Sequence, residues 1–152
     1  MGRVWTYIIS KELNPDQLNF LLEEGKAFVQ GWTAHDQQLS GSFEIYKDKI
    51  LIFKVNEEVH GASGCSIDKL TRFVRSLEIK YGIELLNRLL VAVKVNEEIQ
   101  IIHSSKIKDL LEEAFINEKS IIYNTSASNT DELKNWEQSL KDTWLKKYLT
   151  KV

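Results

Sequence analysis

The sequence is poor in cysteine, since a single residue, Cys65, occurs among 152. A lone cysteine cannot form an internal disulfide, which is typical of proteins that fold in a reducing compartment. The chain also lacks a basic and apolar leader with a cleavage site ahead of its first predicted strand. Its apolar runs are all shorter than the roughly 18 residues of a membrane-spanning helix. We therefore predict a cytoplasmic protein with no membrane partner.

Strong charge of either sign is missing as well. The formal net charge is −2, so the chain as a whole lacks the basic surface that nucleic-acid binding needs. The third predicted strand also lacks the basic and aromatic spacing with which RNA-binding domains stack bases. Apolar residues make up 43% and charged residues 28%, which is an ordinary globular composition. We expect a folded domain with no nucleic-acid partner.

Several motifs that would announce an enzyme or a metal site are absent from the sequence. The only Gly-Lys pair, Gly25-Lys26, is followed by Ala27 and lies inside a predicted helix, so it is no ATP-binding P-loop. No C-x-x-C, H-x-x-x-H or H-E-x-x-H pattern supplies a metal-ligand set. No nucleophile elbow and no dinucleotide-binding glycine pattern occurs either. The sequence therefore predicts neither a metal nor a cofactor.

The sequence does contain a regular succession of strand and helix patterns. Alternating apolar residues predict strands, and apolar residues at intervals of three and four predict amphipathic helices. The first 96 residues read as strand 3–10, helix 15–30, strands 42–46 and 49–55, a helix ending at Tyr81, and strand 89–95. This is the order of the ferredoxin-like βαββαβ arrangement, an antiparallel sheet with two helices on one face. We predict an α+β fold with such a core over residues 1–96.

Residues 97–152 are predicted to extend this core as β-α-β-α within a single domain, 1–152. The extension reads as strand 99–103, a helix from Ile107, strand 120–124, and a last helix that begins at Thr130 or Asp131. Trp136 and Trp144 fall on one stripe of that last helix, which favours docking onto a core. One face of a ferredoxin-like sheet is open, so we expect the extension or a second subunit to cover it. A homo-oligomer is therefore an alternative.

Three segments carry a resemblance to a known family: WTAH at 32–35, SFEI at 42–45 and ASGCSIDK at 62–69. They are similar to those of a small uncharacterised bacterial protein family whose members are often labelled "ABC transporter ATPase", and the resemblance runs over most of the chain. In that family a glycine usually follows the histidine, whereas this chain has Asp36. That departure weakens any site built around His35. The label implies ATP binding, which the missing P-loop contradicts.

The segment GASGCSIDK, residues 61–69, places the lone cysteine at the start of a predicted helix. The N-terminus of a helix favours an anion and makes a thiol there more acidic. Cysteine is also often buried, Ser66 is a good helix cap, and Asp68 complements the helix dipole, so a purely structural role is an equally simple explanation. The candidate ligand-binding residues are Ser63, Gly64, Cys65, Ser66 and Lys69.

A nucleophilic cysteine needs a base, and histidines supply the candidates. His60 precedes Cys65 across a glycine-containing loop, and His35 follows the first helix. The candidate catalytic residues are therefore Cys65, His60 and His35. In the ferredoxin-like order the first helix ends and the second begins at opposite ends of the helical layer, so His35 and Cys65 meet only if a loop bridges them.

Three functions are compatible with these patterns. The first is a non-catalytic module that binds a protein partner or a small anionic ligand through the 61–69 loop. The second is a thiol-dependent enzyme or redox protein that uses Cys65. The third is a structural subunit of a larger assembly, in which Cys65 is buried and inert. The three hypotheses differ in whether Cys65 is accessible and whether an imidazole lies within its reach.

Overall fold

The computed structural model describes residues 2–57 and 61–149, and this part of the chain holds nine β-strands and four α-helices. The strands are β1 (Gly2–Ile8), β2 (Thr33–Ala34), β3 (Gln37–Gln38), β4 (Gly41–Tyr46), β5 (Ile50–Asn56), β6 (Leu90–Val95), β7 (Glu98–His103), β8 (Ile121–Tyr123) and β9 (Glu137–Ser139). The helices are α1 (Pro15–Gln30), α2 (Gly64–Tyr81), α3 (Ile107–Glu112) and α4 (Thr130–Lys134). None of these helices is both long and apolar enough to cross a membrane.

The strands form two main sheets and one small hairpin. The first sheet has the order β1-β5-β4, the second has the order β7-β6-β8-β9, and β2 pairs with β3. Neighbouring strands are antiparallel throughout. The prediction of a mixed fold with antiparallel sheets and separate helices is therefore confirmed.

The ferredoxin-like order of the first 96 residues is not confirmed. That order requires β6 to pair with β1, but β6 pairs with β7 and β8 in the second sheet. The outer edge of β1 is occupied instead by a segment that follows β8: the Val4 N–H donates to the Ser128 carbonyl at 3.0 Å, and Arg3 bridges to Asn129. The division of the chain at residue 97 stays a prediction, although the β6–β7 hairpin spans that point.

The two sheets pack face to face, and each carries further structure on its outer face. Side chains of β1 and β5 alternate between two apolar clusters because successive strand residues point to opposite faces. One cluster joins the first sheet to α1 and α2, a second lies between the sheets, and a third joins the second sheet to α3 and the C-terminal turns. The face left open by the predicted core is thus covered by the second sheet.

Helices α1 and α2 follow their sequence signals closely. α1 has the predicted bounds, with Asn14 as its N-cap and Pro15 at its first position. The Asn14 side chain accepts from the Gln17 N–H at 2.8 Å, and the Gln17 side chain accepts from the Asn14 N–H at 2.9 Å, which is a capping box. α2 ends at Tyr81, and its C-cap is Gly82, whose φ of 63° is the left-handed conformation that glycine adopts without strain.

The predicted last helix is wrong beyond its first turns. α4 ends at Lys134, and the rest of the segment forms β9 followed by two short 3-10 turns. The N-cap is Asn129 rather than Thr130 or Asp131, and its side chain accepts from the Glu132 N–H at 2.8 Å. Pairing of β9 with β8 overrides the helical spacing, because it completes the second sheet. Trp136 is buried whereas Trp144 is half exposed.

Three of the hairpins turn on pairs of residues with left-handed backbone, none of them glycine. Lys47 and Asp48, between β4 and β5, have φ values of 49° and 64°. Asn96 and Glu97 have 52° and 67°, and His35 and Asp36 have 53° and 64°. Each of these last two pairs is the whole connection between two paired strands, which is a type I′ turn. Such turns favour glycine at their second position, so both carry avoidable backbone strain.

Glu97→Gly is expected to stabilise the protein. Asn-Gly is a preferred pair for this turn, and the lost Lys94–Glu97 ion pair, at 3.6 Å with Glu97 largely exposed, is worth little. We expect the free energy of unfolding to rise by about 0.5–1 kcal/mol in urea denaturation. The control Glu98→Gly, in β7, is expected to lower it by a similar amount. Equal destabilisation by both substitutions would contradict the turn assignment.

Candidate functional site

The 61–69 loop leads into a tightly bonded helix cap. Ser63 is the N-cap of α2, and its Oγ accepts from the Ser66 N–H at 3.2 Å. The Ser66 Oγ accepts from the Ser63 N–H at 2.8 Å and donates to the Ser63 carbonyl at 2.9 Å. Ser66 is fully buried. The two predicted ligand-binding hydroxyls are therefore engaged in capping the helix.

A carboxylate of the chain itself lies at the approach to this helix. The Glu57 Oε2 accepts from the Ala62 N–H at 3.0 Å. It is also 3.5 Å from the position that a Cβ on Gly61 would take. The N–H groups of Gly64 and Cys65 have no acceptor among the described residues, and both residues are exposed. Any anion bound here would have to share the loop with the Glu57 carboxylate.

Trp32 fixes the start of α2 from inside the core. Its indole Nε1–H donates to the Ser66 carbonyl at 2.8 Å, and both residues are almost completely buried. The indole also contacts the rings of Trp5 and Phe28, with centroid separations of 5.6 and 5.2 Å. A buried donor of this kind is costly to leave unbonded, so the bond holds residues 32 and 66 together.

Lys69 is bonded to the segment that follows Trp32. Its ammonium donates to the Thr33 Oγ1 at 3.0 Å and lies 3.5 Å from the Thr33 carbonyl. The predicted cationic ligand-binding residue thus joins α2 to β2. The segment that follows the first helix is therefore bonded to the first turns of α2 through Trp32 and Thr33. Contact between His35 and Cys65 themselves stays a prediction.

The β2–β3 hairpin is held at its base and exposed at its tip. The Leu39 N–H donates to the Trp32 carbonyl at 3.0 Å, and the Gln38 amide donates to the Val29 and Leu39 carbonyls. His35, at the turn, is exposed. We call the exposed residues of this tip and of the adjoining helix start the hairpin–helix surface: His35, Asp36, Gln37, Gly64 and Cys65.

The three segments that carry the family resemblance meet around Trp32. WTAH supplies Trp32 itself, and ASGCSIDK supplies its hydrogen-bond acceptor. Gly41, next to SFEI, lies so close to the indole that a Cβ there would be 3.3 Å from the ring. Phe43 of SFEI fills the space beside Gly25, where a Cβ would be only 2.3 Å from the Phe43 ring. Segments distant in sequence therefore form one structural unit.

The thiol has no base among the described residues. Cys65 is exposed, and no hydrogen bond joins it to an imidazole in that part of the chain. His60 lies outside the described residues. His103, on β7, is engaged elsewhere, since its Nδ1 accepts from the Ser105 N–H at 3.1 Å. No group of three or more potential metal ligands occurs in residues 2–57 and 61–149.

The hairpin–helix surface does not line the main cavities of the described residues. Five cavities of 270 to 730 Å³ lie along this part of the chain, and none of these five is lined by a residue of the surface. Small-molecule sites are usually clefts or cavities of about 300–1,000 Å³ that enclose most of the ligand. None of these five cavities therefore provides such a site at the hairpin–helix surface.

Comparisons with known proteins give no relative for this chain. No family model, no curated protein and no solved structure matches it. The sequence signals predicted a helix that starts near Cys65, and α2 starts at Gly64 with Ser63 rather than Ser66 as its N-cap. They left open whether Cys65 is exposed, and they missed the bonds from Trp32 to Ser66 and from Lys69 to Thr33. A tryptophan directly after the first helix was the one local signal for this anchor.

Trp32→Phe is expected to destabilise the protein strongly. The substitution removes the indole N–H, leaves the buried Ser66 carbonyl without that donor, and opens a small cavity. We expect the free energy of unfolding to fall by about 2–3 kcal/mol in urea denaturation. Trp144→Phe, at a half-exposed position, is the matched control and should change it by less than about 0.5 kcal/mol. Equal effects would contradict the anchoring role of Trp32.

Cys65 is expected to react with iodoacetamide in the folded protein. Because the thiol is exposed and hydrogen-bonded to no imidazole among the described residues, its alkylation rate should be within about tenfold of the rate in the unfolded chain. The rate is measured by mass spectrometry from pH 5 to 10. His35→Ala should leave the rate unchanged at each pH, as should the control His103→Ala.

Two results would contradict this prediction. A thiol that reacts only after unfolding is buried. A rate that is already high near pH 6 and falls in His35→Ala identifies an activated nucleophile.

Proposed function

We propose that this chain is a non-catalytic module that binds a protein partner through the hairpin–helix surface. The observation that supports the proposal is the buried bond between the Trp32 indole and the Ser66 carbonyl, at 2.8 Å. Together with the Lys69–Thr33 bond, it ties the base of the β2–β3 hairpin, whose tip is exposed, to the first turns of α2, whose start is exposed. Rigid support of exposed polar residues is what a specific contact patch needs.

A protein partner is favoured over a small anionic ligand on two grounds. The side chains expected to bind an anion, those of Ser63, Ser66 and Lys69, already have hydrogen-bond partners within the chain. The surface also lines none of the five cavities described above, whereas a small ligand needs enclosure to gain affinity. Exposed imidazole, carboxylate and amide groups at His35, Asp36 and Gln37 suit the polar rim of a protein interface.

The structural-subunit hypothesis has less support than the binding module. It requires Cys65 to be buried, but the thiol is exposed. The hypothesis also relied on an open face of the first sheet that a second subunit would cover. Ala92, Ile99 and Tyr123 of the second sheet cover that face. We therefore infer that no second copy is needed to complete the core.

We also propose a family and a cellular location for the protein. The convergence of the WTAH, SFEI and ASGCSIDK segments around Trp32 supports membership in the bacterial family that they resemble. The lone cysteine supports a cytoplasmic location. Neither inference supports ATP binding, because this sequence contains no P-loop.

The test attaches a benzophenone maleimide to Cys65, the only cysteine. Illumination in an extract of the source organism should crosslink a partner, which mass spectrometry identifies. The partner is then purified, and its Kd for the unlabelled protein is measured by calorimetry. The variant His35→Ala/Gln37→Ala should weaken binding at least about tenfold, as expected for substitutions inside an interface.

The matched control for this experiment is Asn19→Ala, an exposed amide on α1 outside the hairpin–helix surface. It should leave the Kd unchanged. Equal affinity of the partner for the His35→Ala/Gln37→Ala variant would overturn the proposed surface. Saturable amide shifts of Gly64 and Cys65 on addition of inorganic phosphate or sulfate, with a Kd below about 1 mM, would favour the anionic ligand instead.

The thiol enzyme is the second candidate, and one observation favours it: Cys65 is exposed, so a substrate can reach the thiol. This function also needs an activated thiolate, which an imidazole or a positive environment supplies. The pH profile of Cys65 alkylation separates it from the binding module, because only the enzyme requires high reactivity near neutral pH that depends on a histidine.

A further inference from the structure

β7 forms an edge of the second sheet, and its pairing fixes which backbone groups face outward. Val95 and Glu98 close the two-residue turn to β6, and the Ser104 N–H donates to the Leu89 carbonyl at 2.8 Å in the same register. Hydrogen-bonded pairs alternate along an antiparallel ladder. The even-numbered residues of β7 therefore bond to β6. The N–H and C=O groups of Ile99, Ile101 and His103 point away from the sheet.

These outward groups have no partner within residues 2–57 and 61–149. The outward backbone groups of β1, by contrast, do have partners. The Val4 N–H donates to the Ser128 carbonyl, and the Arg88 guanidinium donates to the Thr6 carbonyl at 3.1 Å. An uncovered edge is a ready template for another strand, and natural proteins usually blunt it with proline, bulges or lysine. β7, with the sequence EIQIIH, contains none of these.

A groove of about 730 Å³ runs beside this edge. One wall is formed by five consecutive residues, 97–101, and the other includes residues 9–13, which follow β1. Successive strand residues point to opposite faces, so a wall of consecutive residues is a strand edge rather than a sheet face. The groove therefore exposes backbone donors and acceptors along the outer side of β7.

The groove also contains charges without counter-ions. Lys49 lines it, is half-buried, and makes no ion pair among the described residues. Glu98 lies at the start of β7, is exposed, and likewise has no cationic partner there. A strand laid along β7 would gain from an acidic side chain facing Lys49 and a basic one beside Glu98.

We propose that the free edge of β7 accepts an extended segment of a partner protein as an additional strand of the second sheet. The bound segment carries an acidic residue opposite Lys49 and a basic residue beside Glu98. This is β-strand addition, in which main-chain hydrogen bonds give affinity and side-chain contacts give specificity. The site is separate from the hairpin–helix surface and does not depend on it. A single extended chain suits a groove that residues 9–13 close on its far side.

The test uses a phage-displayed library of linear ten-residue peptides selected on the whole protein. Selected peptides are synthesised, and backbone amide exchange is followed by NMR with and without each peptide. We expect the Ile99, Ile101 and His103 amides to exchange at least tenfold more slowly when peptide is bound. The Gln100 amide, already bonded to β6, should change little. Selected sequences should be enriched in peptides that carry both acidic and basic residues.

Two changes remove the proposed bonds selectively. Alternate amides of the bound peptide point toward β7, and the amides between them point away from it. N-methylation of the first set should weaken binding at least tenfold, whereas N-methylation of the second set should not. Ile101→Pro removes an outward N–H without removing a bond to β6, and should weaken binding to the same extent. The control is Ile45→Pro on β4. The bond from the Asn56 N–H to the Ser40 carbonyl fixes the register, so that the Ile45 N–H also points away from its sheet. This control should leave peptide binding unchanged.

Four results would overturn the proposal. The first is a library that yields no binder, and the second is a set of selected peptides that leave the three outward amides unprotected. The third is binding that survives both N-methylation of the peptides and the Ile101→Pro substitution. The fourth concerns a second copy of the chain. The protein forms a dimer that Ile101→Pro disrupts, in which case the occupant of the edge is a second copy rather than a peptide. If Ile101→Pro fails to fold, the N-methylated peptides decide alone.

Discussion

The fold depends on the packing of β5 between two apolar layers. Ile50 and Ile52 face the second sheet, whereas Leu51, Phe53 and Val55 face α1 and α2, and all five are essentially inaccessible to solvent. Burial of apolar surface contributes about 25 cal/mol per Å² and is the dominant favourable term in folding, so a strand buried on both faces stabilises the fold strongly. Both neighbours of β5 in the first sheet, β1 and β4, take their register from it. The second sheet is then required, because one face of β5 would otherwise meet water.

The same strand carries the packing that supports the hairpin–helix surface. The Phe53 ring contacts the rings of Phe28, Trp32, Phe43 and Phe73, with centroid separations between 4.8 and 6.5 Å. Trp32 therefore packs against Phe53 of β5 while its indole N–H donates to the Ser66 carbonyl. Edge-to-face aromatic pairs add directional preference to burial, so the indole has one favourable orientation. The exposed hairpin tip is positioned, through this cluster, by the most deeply buried strand of the protein.

Local signals predicted the elements well, and pairing between distant strands accounts for the errors. The bounds of α1 follow from Asn14, Pro15 and apolar spacing, all of which act within a few residues. The partner of β6 could not be predicted, because its alternate residues are apolar on both faces and fit either sheet. Trp136 and Leu140 are spaced as on a helix, yet Trp136 reaches the core from the residue just before β9 and Leu140 from the start of a 3-10 turn. The β2–β3 hairpin escaped prediction because His35 and Asp36 replace the glycine-containing pair that marks such turns.

A sandwich with helices outside leaves few places for binding. Both faces of the first sheet and one face of the second are used in packing against other layers, and α3 with the C-terminal turns covers much of the remaining face. A ligand cannot enter between such layers without separating apolar surfaces, which costs the free energy that folding gained from them. Among the described residues, the rims where strands end or lack neighbours are left outside these layers. The hairpin–helix surface lies where α2 begins, and the β7 edge lies where the second sheet ends. The first rim exposes polar side chains, and the second exposes backbone groups beside a groove of about 730 Å³, because neither is covered by a packed layer.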